Sequence, residues 1–186
     1  MDVTKILERD HRLVEKLFDG IEKADGAERQ PLIDQLATSL RGHMELEEQV
    51  VYPAMEPVVG HEHVEEGNAE HQLARKGLDD MIAMAPDQPG FGAALDSVKG
   101  GVSHHVDEEE NDVFPKLRKE GRSVLDEMAT PFMKKRLELG LPMEADALAD
   151  AASKDELVTE AERAGIDGAA SMNKGELANA LVGAMS

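Results

Sequence analysis

Two stretches of this chain each place a histidine four residues before a glutamate: HMELEEQVVYP at His43–Pro53 and HVDEEENDVFP at His105–Pro115. On an α-helix, residues i and i+4 share one face about a turn apart. His43 with Glu47, and His105 with Glu109, therefore offer an imidazole nitrogen and a carboxylate oxygen side by side, which is a metal-ligand spacing. At an offset of 62 residues the strings also superpose Glu48 on Glu110, Val51 on Val113, Tyr52 on Phe114 and Pro53 on Pro115. Upstream, DHRLVEKLFDGI at Asp10–Ile21 matches EHQLARKGLDDMI at Glu70–Ile82, with His11 on His71 at an offset of 60. The chain reads as two copies of a unit made of a helix with one histidine and a helix with His-x-x-x-Glu. Such repeats pair to bury a common core, which here would hold His11, His43, Glu47, His71, His105 and Glu109.

A lone histidine on an apolar stripe is ordinarily a hydrogen-bonded core residue. Six repeat-related groups are a different matter, because buried carboxylates without partners oppose folding. The chain has no cysteine, which excludes disulfides, zinc–thiolate sites and iron–sulfur clusters and leaves nitrogen and oxygen as the ligands. Four neutral imidazoles and two carboxylates suit iron, with zinc, copper and manganese admitted by ligand type. They exceed the needs of one tetrahedral zinc, whereas two metals bridged by the two glutamates would use all six.

The elements that must carry these groups follow from apolar periodicity. Helix one is expected over Val3–Lys23, with Leu7, His11, Val14, Phe18 and Ile21 on its stripe and Asp25-Gly26 as its stop. Helix two follows Pro31 and carries Leu32, Leu36, Leu40, His43, Glu47 and Val50, with Pro53 and Pro57 expected to end or kink it. Helix three is expected over about Val64–Ala85 and carries His71, Leu78 and Met81. After the break PDQPG, helix four carries Phe91, Leu95, Val98, Val102, His105 and Glu109 and is expected to close at Pro115. Short connections between amphipathic helices predict an all-α fold, an up-down-up-down four-helix bundle with metal sites between facing helices. A fifth helix over Ser123–Leu139, broken at Pro131, and the linker GLPMEADALADAA are expected next. The segment from Ser153 then reads as a helix, an extended turn and a helix, with capping signals at Ser153/Glu156 and Asn173/Glu176. The expected division is a bundle over 1–121, a fifth helix and linker over 122–152, and a small helical module over 153–186 that docks on the bundle.

At 41% hydrophobic and without an apolar run of spanning length or a signal-like N-terminus, the chain is expected in the cytoplasm, off membranes. Its net charge of −19 disfavours nucleic acid, which needs positive charge.

The pattern H…HxxxE…H…HxxxE, with the trailing E-x-x-V-[YF]-P, resembles the hemerythrin-like cation-binding (HHE) domain over about residues 1–120. The resemblance implies a non-heme pair of iron ions with an oxo or hydroxo bridge, in which Glu47 and Glu109 bridge, His11 and His43 cap one iron, and His71 and His105 the other. Oxygen-carrying hemerythrins place a further histidine one turn after the first on helix three. Here that position is Arg75, which cannot ligate. The expected function is reaction with, or sensing of, small oxidants (dioxygen, hydrogen peroxide or nitric oxide), including catalase-like turnover. The alternatives are a non-enzymatic iron or oxygen sensor signalling through the C-terminal module, and an oxygen or iron carrier. His63 would reach the centre only if its connection folded back, since a regular helix puts it roughly 12 Å from His71. Tyr52 is a candidate ligand or hydrogen-bond partner, although its repeat partner Phe114 favours packing. His61 and His104 are expected to face solvent. Gly67 and Gly101, each four residues before a proposed ligand, are candidates for leaving room beside the metals. The C-terminal segment resembles helix-extended-helix modules of the SAP and Rho-N-terminal type. Its own acidity favours a structural role or a protein partner.

Overall fold

In the computed structural model, residues 1–185 are described, and among them the chain is helical with no strand. The four long helices are α1 (Thr4–Lys23), α2 (Arg29–Leu46), α4 (His61–Ile82) and α5 (Phe91–Glu108). The connections Ala24–Glu28 and Ala83–Gly90 are short, which makes α1/α2 and α4/α5 antiparallel neighbours. Arg29 fastens the two connections together, donating to the carbonyls of Ala24 and Pro86 and lying 5.7 Å from the Phe91 ring centroid.

The prolines act differently from the expectation. Neither Pro53 nor Pro115 ends its helix. Each follows a single π-helical turn, Glu47–Val51 and Glu109–Val113, and the helices resume as α3 (Tyr52–Val59) and α6 (Phe114–Glu120). Proline lacks an N–H and its ring crowds the carbonyl four residues back. Widening the turn relieves both problems: the amide of Tyr52 donates to Glu47 O and that of Phe114 to Glu109 O, five residues back. The helix α3 does end at Gly60, whose φ of 103° suits glycine.

Beyond the bundle, α7 (Arg122–Glu138) passes through Pro131 unbroken. The stretch expected as a linker contains a helix, α8 (Ala145–Ala151). The tail forms α9 (Lys154–Arg163) and α10 (Lys174–Met185) around a turn with Gly165 and Gly168 at positive φ. Both capping signals are realised: Ser153 and Glu156 exchange side-chain and backbone bonds, as do Asn173 and Glu176.

Two apolar clusters hold these elements. One joins Val14, Phe18, Ile21, Leu36, Leu40, Leu78, Met81, Phe91, Leu95 and Val102 at one end of the bundle. The other joins Ile6, Leu7, Leu46, Val51, Met55 and Phe114 to Phe132 of α7, Leu148 of α8, Leu157 of α9 and Leu177 and Leu181 of α10. The C-terminal helices thus share one core with the bundle, each buried large apolar side chain contributing about 1.5–3 kcal/mol. Along every long helix the six histidines and glutamates fall between residues of the two clusters, so they form a polar layer across the middle of the bundle.

Candidate metal centre

All six residues converge in that layer, and all are buried. The π turns begin at Glu47 and Glu109, so the irregularity that accommodates the prolines also sets the direction of the two carboxylates. Glu47 Oε2 lies 3.3 Å from His43 Nε2 and 3.3 Å from His71 Nε2. Glu109 Oε2 lies 3.3 Å from His11 Nε2 and 3.7 Å from His105 Nε2. Each carboxylate therefore spans the two histidine pairs. The pairs themselves are tight, with Nε2 to Nε2 separations of 3.2 Å for His11/His43 and 3.1 Å for His71/His105.

The opposite ring nitrogens explain the arrangement. Every Nδ1 faces a carboxylate: Glu110 for His11 at 2.8 Å, Asp10 for His43 at 3.4 Å, Glu48 for His71 at 3.0 Å and Glu70 for His105 at 2.8 Å. An Nδ1–H that donates outward fixes the tautomer and leaves the Nε2 lone pair pointing inward, as metal-binding histidines require. Four lone pairs then meet the carboxylates of Glu47 and Glu109, none of whose four oxygens has a hydrogen-bond partner although all are buried. Donors so arranged repel one another unless positive charge lies between them. They divide into two groups with ligand atoms within 4.8 Å of one another, one of His11, His43, Glu47 and Glu109 and one of Glu47, His71 and His105. The donor set fits two cations sharing Glu47.

Without a cation, protons are the only positive charge on offer. Burial disfavours protonating His43, but Glu47 and Asp10 outweigh it and raise its pKa well above the ordinary histidine value. Burial likewise opposes His11, and Glu109 and Glu110 overcome it. Glu47 is fully buried, which by itself would raise its pKa, yet His43 and His71 hold it well below the usual carboxylate range.

The outer carboxylates, which face the four imidazoles, are site residues that pattern reading of the sequence missed. They are braced in turn. Arg75 forks onto both oxygens of Glu48 at 2.7 and 2.8 Å, and Arg136 onto both oxygens of Asp10 at 2.6 and 2.7 Å. Arg12 reaches Glu110, and His104 reaches Glu70 at 2.8 Å. Glu48 and Glu110 are repeat partners, and so are Asp10 and Glu70, each next in sequence to an inward-facing residue. That adjacency was the available signal. Arg75, where oxygen carriers have a fifth histidine, instead braces the carboxylate that orients His71.

The remaining candidates separate clearly. Tyr52 is buried with its Oη 3.2 Å from His71 Nε2 and 3.5 Å from His105 Nε2, and its ring stacks on His71. Burial, then Glu47 and Glu109, push its pKa well above 10, which keeps the phenol protonated. Phe114 stacks on His11 in the same way, so the repeat partners share a packing role. His63 is exposed on the first turn of α4 and does not fold back, because the connection expected ahead of the helix is itself helical. His61 is exposed and pairs with Glu56. Gly67 leaves no space beside the centre: a Cβ there would lie 2.7 Å from Tyr52 Oη. A Cβ at Gly101 would meet nothing within 4 Å.

Paired imidazoles and bridging carboxylates inside a four-helix bundle define a cation-binding helical domain. The chain belongs to the hemerythrin HHE cation-binding domain family, which it matches over residues 2–117. It is 34% identical over 117 residues to an uncharacterised hemerythrin-like protein of Schizosaccharomyces pombe, a match covering 60% of this chain and 57% of that protein. It is 27% identical over 119 residues to a DNA nickase of a Nostoc strain, covering 63% of this chain and 34% of that one. The chain thus spans little more than half, and about a third, of the lengths of these relatives. In fold it is similar to a hemerythrin HHE cation-binding domain-containing protein from Mycobacterium kansasii, with a TM-score of 0.62, 21% identity, and 97% of this chain and 99% of that chain covered. That likeness extends over the C-terminal helices. Among the described residues, no helix is long and apolar enough to cross a membrane.

Proposed function

We propose that this chain holds two iron ions and uses them to react with a small oxidant, hydrogen peroxide foremost among dioxygen, nitric oxide and peroxide. His11 and His43 would hold one ion and His71 and His105 the other, with the carboxylates of Glu47 and Glu109 lying between the two pairs. The observation that carries the reading is the size of the cavity beside the four histidines. It has a volume of about 20 Å³ and is walled by Val14, Leu40, Met44, Ala74, Val102 and Val106 among others. A water needs about 10–15 Å³ on this measure, so the space suits a molecule of one or two heavy atoms. A bound iron pair supplies one-electron redox chemistry that no side chain here has. The protein orients the imidazoles through Asp10, Glu48, Glu70 and Glu110, keeps bulk water out with the apolar wall, and holds a proton at Tyr52 Oη beside His71 and His105. With Arg75 in place of a fifth histidine, the two halves carry equal nitrogen donors, which favours turnover over reversible carriage.

The DNA-directed activity named for the Nostoc relative has no support in the charge of this chain, −19 overall. The test is metal content and visible absorption of freshly purified protein, followed by peroxide addition. About two irons per chain with sustained peroxide loss, both abolished by Glu47→Ala and by His105→Ala, is the expected result. A single zinc, or no metal after anaerobic iron loading, would overturn it.

One observation favours a second reading, a sensor whose output is residues 122–186 acting on a protein partner. Arg136 of α7 grips Asp10, which faces His43, so the centre is connected to the C-terminal helices by a buried ion pair. Iron loading would then change proteolytic protection of that segment while peroxide turnover stayed negligible.

A further inference from the structure

The four outer carboxylates are not equivalent. Three are braced by arginine, which repels cations and cannot ligate them. The fourth, Glu70, is braced by His104, a metal-ligating side chain. Glu70 divides its oxygens: Oε2 accepts from His105 Nδ1 at 2.8 Å, inside, and Oε1 meets His104 Nδ1 at 2.8 Å, outside. One helical turn beyond His104 is Glu108, its Oε1 4.0 Å from His104 Nε2. Ligand atoms of Glu70, His104 and Glu108 lie within 4.8 Å of one another. Alone, such a cluster would be an ordinary surface ion-pair network.

The surrounding space sets it apart. A groove of about 420 Å³ between α4 and α5 is lined by Glu70, Ala74, Gly101 and His104. Three of these, Glu70, Ala74 and Gly101, also wall the inner cavity. The grooves beside Asp10 and Arg136 and beside Glu48 and Arg75 share no lining residue with that cavity. Gly101 is exposed and has open space where a side chain would stand. At this corner one carboxylate, one alanine and one glycine line both the open groove and the cavity beside the histidines.

We infer that Glu70, His104 and Glu108 form an outer divalent-cation site at the mouth of the α4–α5 groove, from which Glu70 passes the ion inward past Gly101 to the centre. The ion exchanges water for these ligands and then these ligands for the inner ones, with no change of oxidation state. This inference rests on the metal-centre reading above.

The test uses the full chain stripped of metal and titrated with Co²⁺, with equilibrium and stopped-flow absorption recorded. The parent should take up two ions tightly and a third more weakly. In Glu108→Gln the third ion should be lost and filling of the inner pair slowed roughly tenfold, the low end of what electrostatic focusing contributes to on-rates, with the inner stoichiometry unchanged; His104→Ala should lose the third ion and fill at least as slowly. Gly101→Leu should slow filling while keeping the third ion. Inner sites that fill at the parental rate in all three variants would overturn the inference and leave the metal centre intact. A parent that binds one ion only, lost in His104→Ala, would overturn the metal-centre reading and the delivery role with it.

Discussion

Replacing Asp10 by leucine in metal-free protein should lower the melting temperature steeply, and replacing Arg136 by methionine as well should restore most of the loss. Arg136 donates two parallel bonds to Asp10 and a third, from Nε, to Pro142 O at 2.9 Å. Its side chain is 3% exposed and that of Asp10 12%. Burial works to raise the Asp10 pKa, but Arg136 and then His43 bring it below the ordinary aspartate value, so the carboxylate is ionised and needs its partner. Removing one member of such a pair strands the other charge in the interior and costs about 3–5 kcal/mol. At about 2–4 °C per kcal/mol for a chain of this size, the single variant should melt roughly 6–20 °C lower. Exchanging both for apolar groups of similar volume costs little, because two desolvation penalties vanish together. The assay is thermal circular dichroism in excess chelator, since any bound ion would itself shift the transition. A drop below about 3 °C in the single variant, or a double variant that melts as low as the single, would refute the claim that this pair anchors α7 on α1.

Glu48→Gln should weaken metal binding roughly 10–100-fold, the range for groups that orient a ligand, while leaving the metal-free fold near parental stability because Glu48 and Arg75 are partly exposed; chelator competition measures it, and parental affinity would exclude an orienting role. Gly67→Ala should displace Tyr52, since the added carbon would lie 2.7 Å from its Oη; a loss of about 1–3 kcal/mol in chemical denaturation is expected, and an unchanged midpoint would show that the phenol moves freely. Acid should loosen the tail early. Burial opposes ionising Glu156, but the Met1 ammonium and the Ser153 cap lower its pKa from 4.5 to about 2. A depressed folded-state value means that the stabilisation is complete above 4.5 and fades as pH falls from there towards 2. Hydrogen exchange in α9 should therefore accelerate over that window in the parent, and in Glu156→Gln it should already be fast at neutral pH.

The four long helices and the six inward residues were legible because periodicity of 3.6 and a duplicated motif are local signals. The helices α3 and α6 were not, since proline alone marks a stop and nothing in the one-dimensional pattern shows that a π turn can absorb it. The helix α8 was hidden for a related reason: GLPMEADALADAA has the small and acidic residues of a linker, and only its partners across the apolar cluster make Leu148 a core residue. Asp10, Glu48, Glu70 and Glu110 look like a solvated face beside the stripe. Their role depends on which imidazole nitrogen each one meets. Arg136 lies 126 residues from Asp10, a separation over which no spacing rule operates.

The duplication also shows where the two halves diverge and what maintains the difference. Tyr52 and Phe114 are repeat partners that stack on His71 and His11 with ring centroids 5.4 and 5.9 Å apart. A tyrosine in place of phenylalanine needs room for one more oxygen, and the helix facing Tyr52 supplies it with Gly67. The position equivalent to Gly67 in the first copy is Leu7, fully buried in the same apolar cluster as Phe114. Glycine against tyrosine in one copy, and leucine in the cluster that holds phenylalanine in the other, thus fill equivalent positions differently. Only the first brings a hydroxyl to the histidines. The two histidine pairs are matched in nitrogen donors and in the carboxylates between them yet differ by a single proton-bearing group, held at His71 and His105 and absent from His11 and His43. Tyr52 is not among the residues that line the cavity beside the four histidines, so this asymmetry is expressed at the imidazoles of His71 and His105 themselves, one pair facing a phenol and the other none.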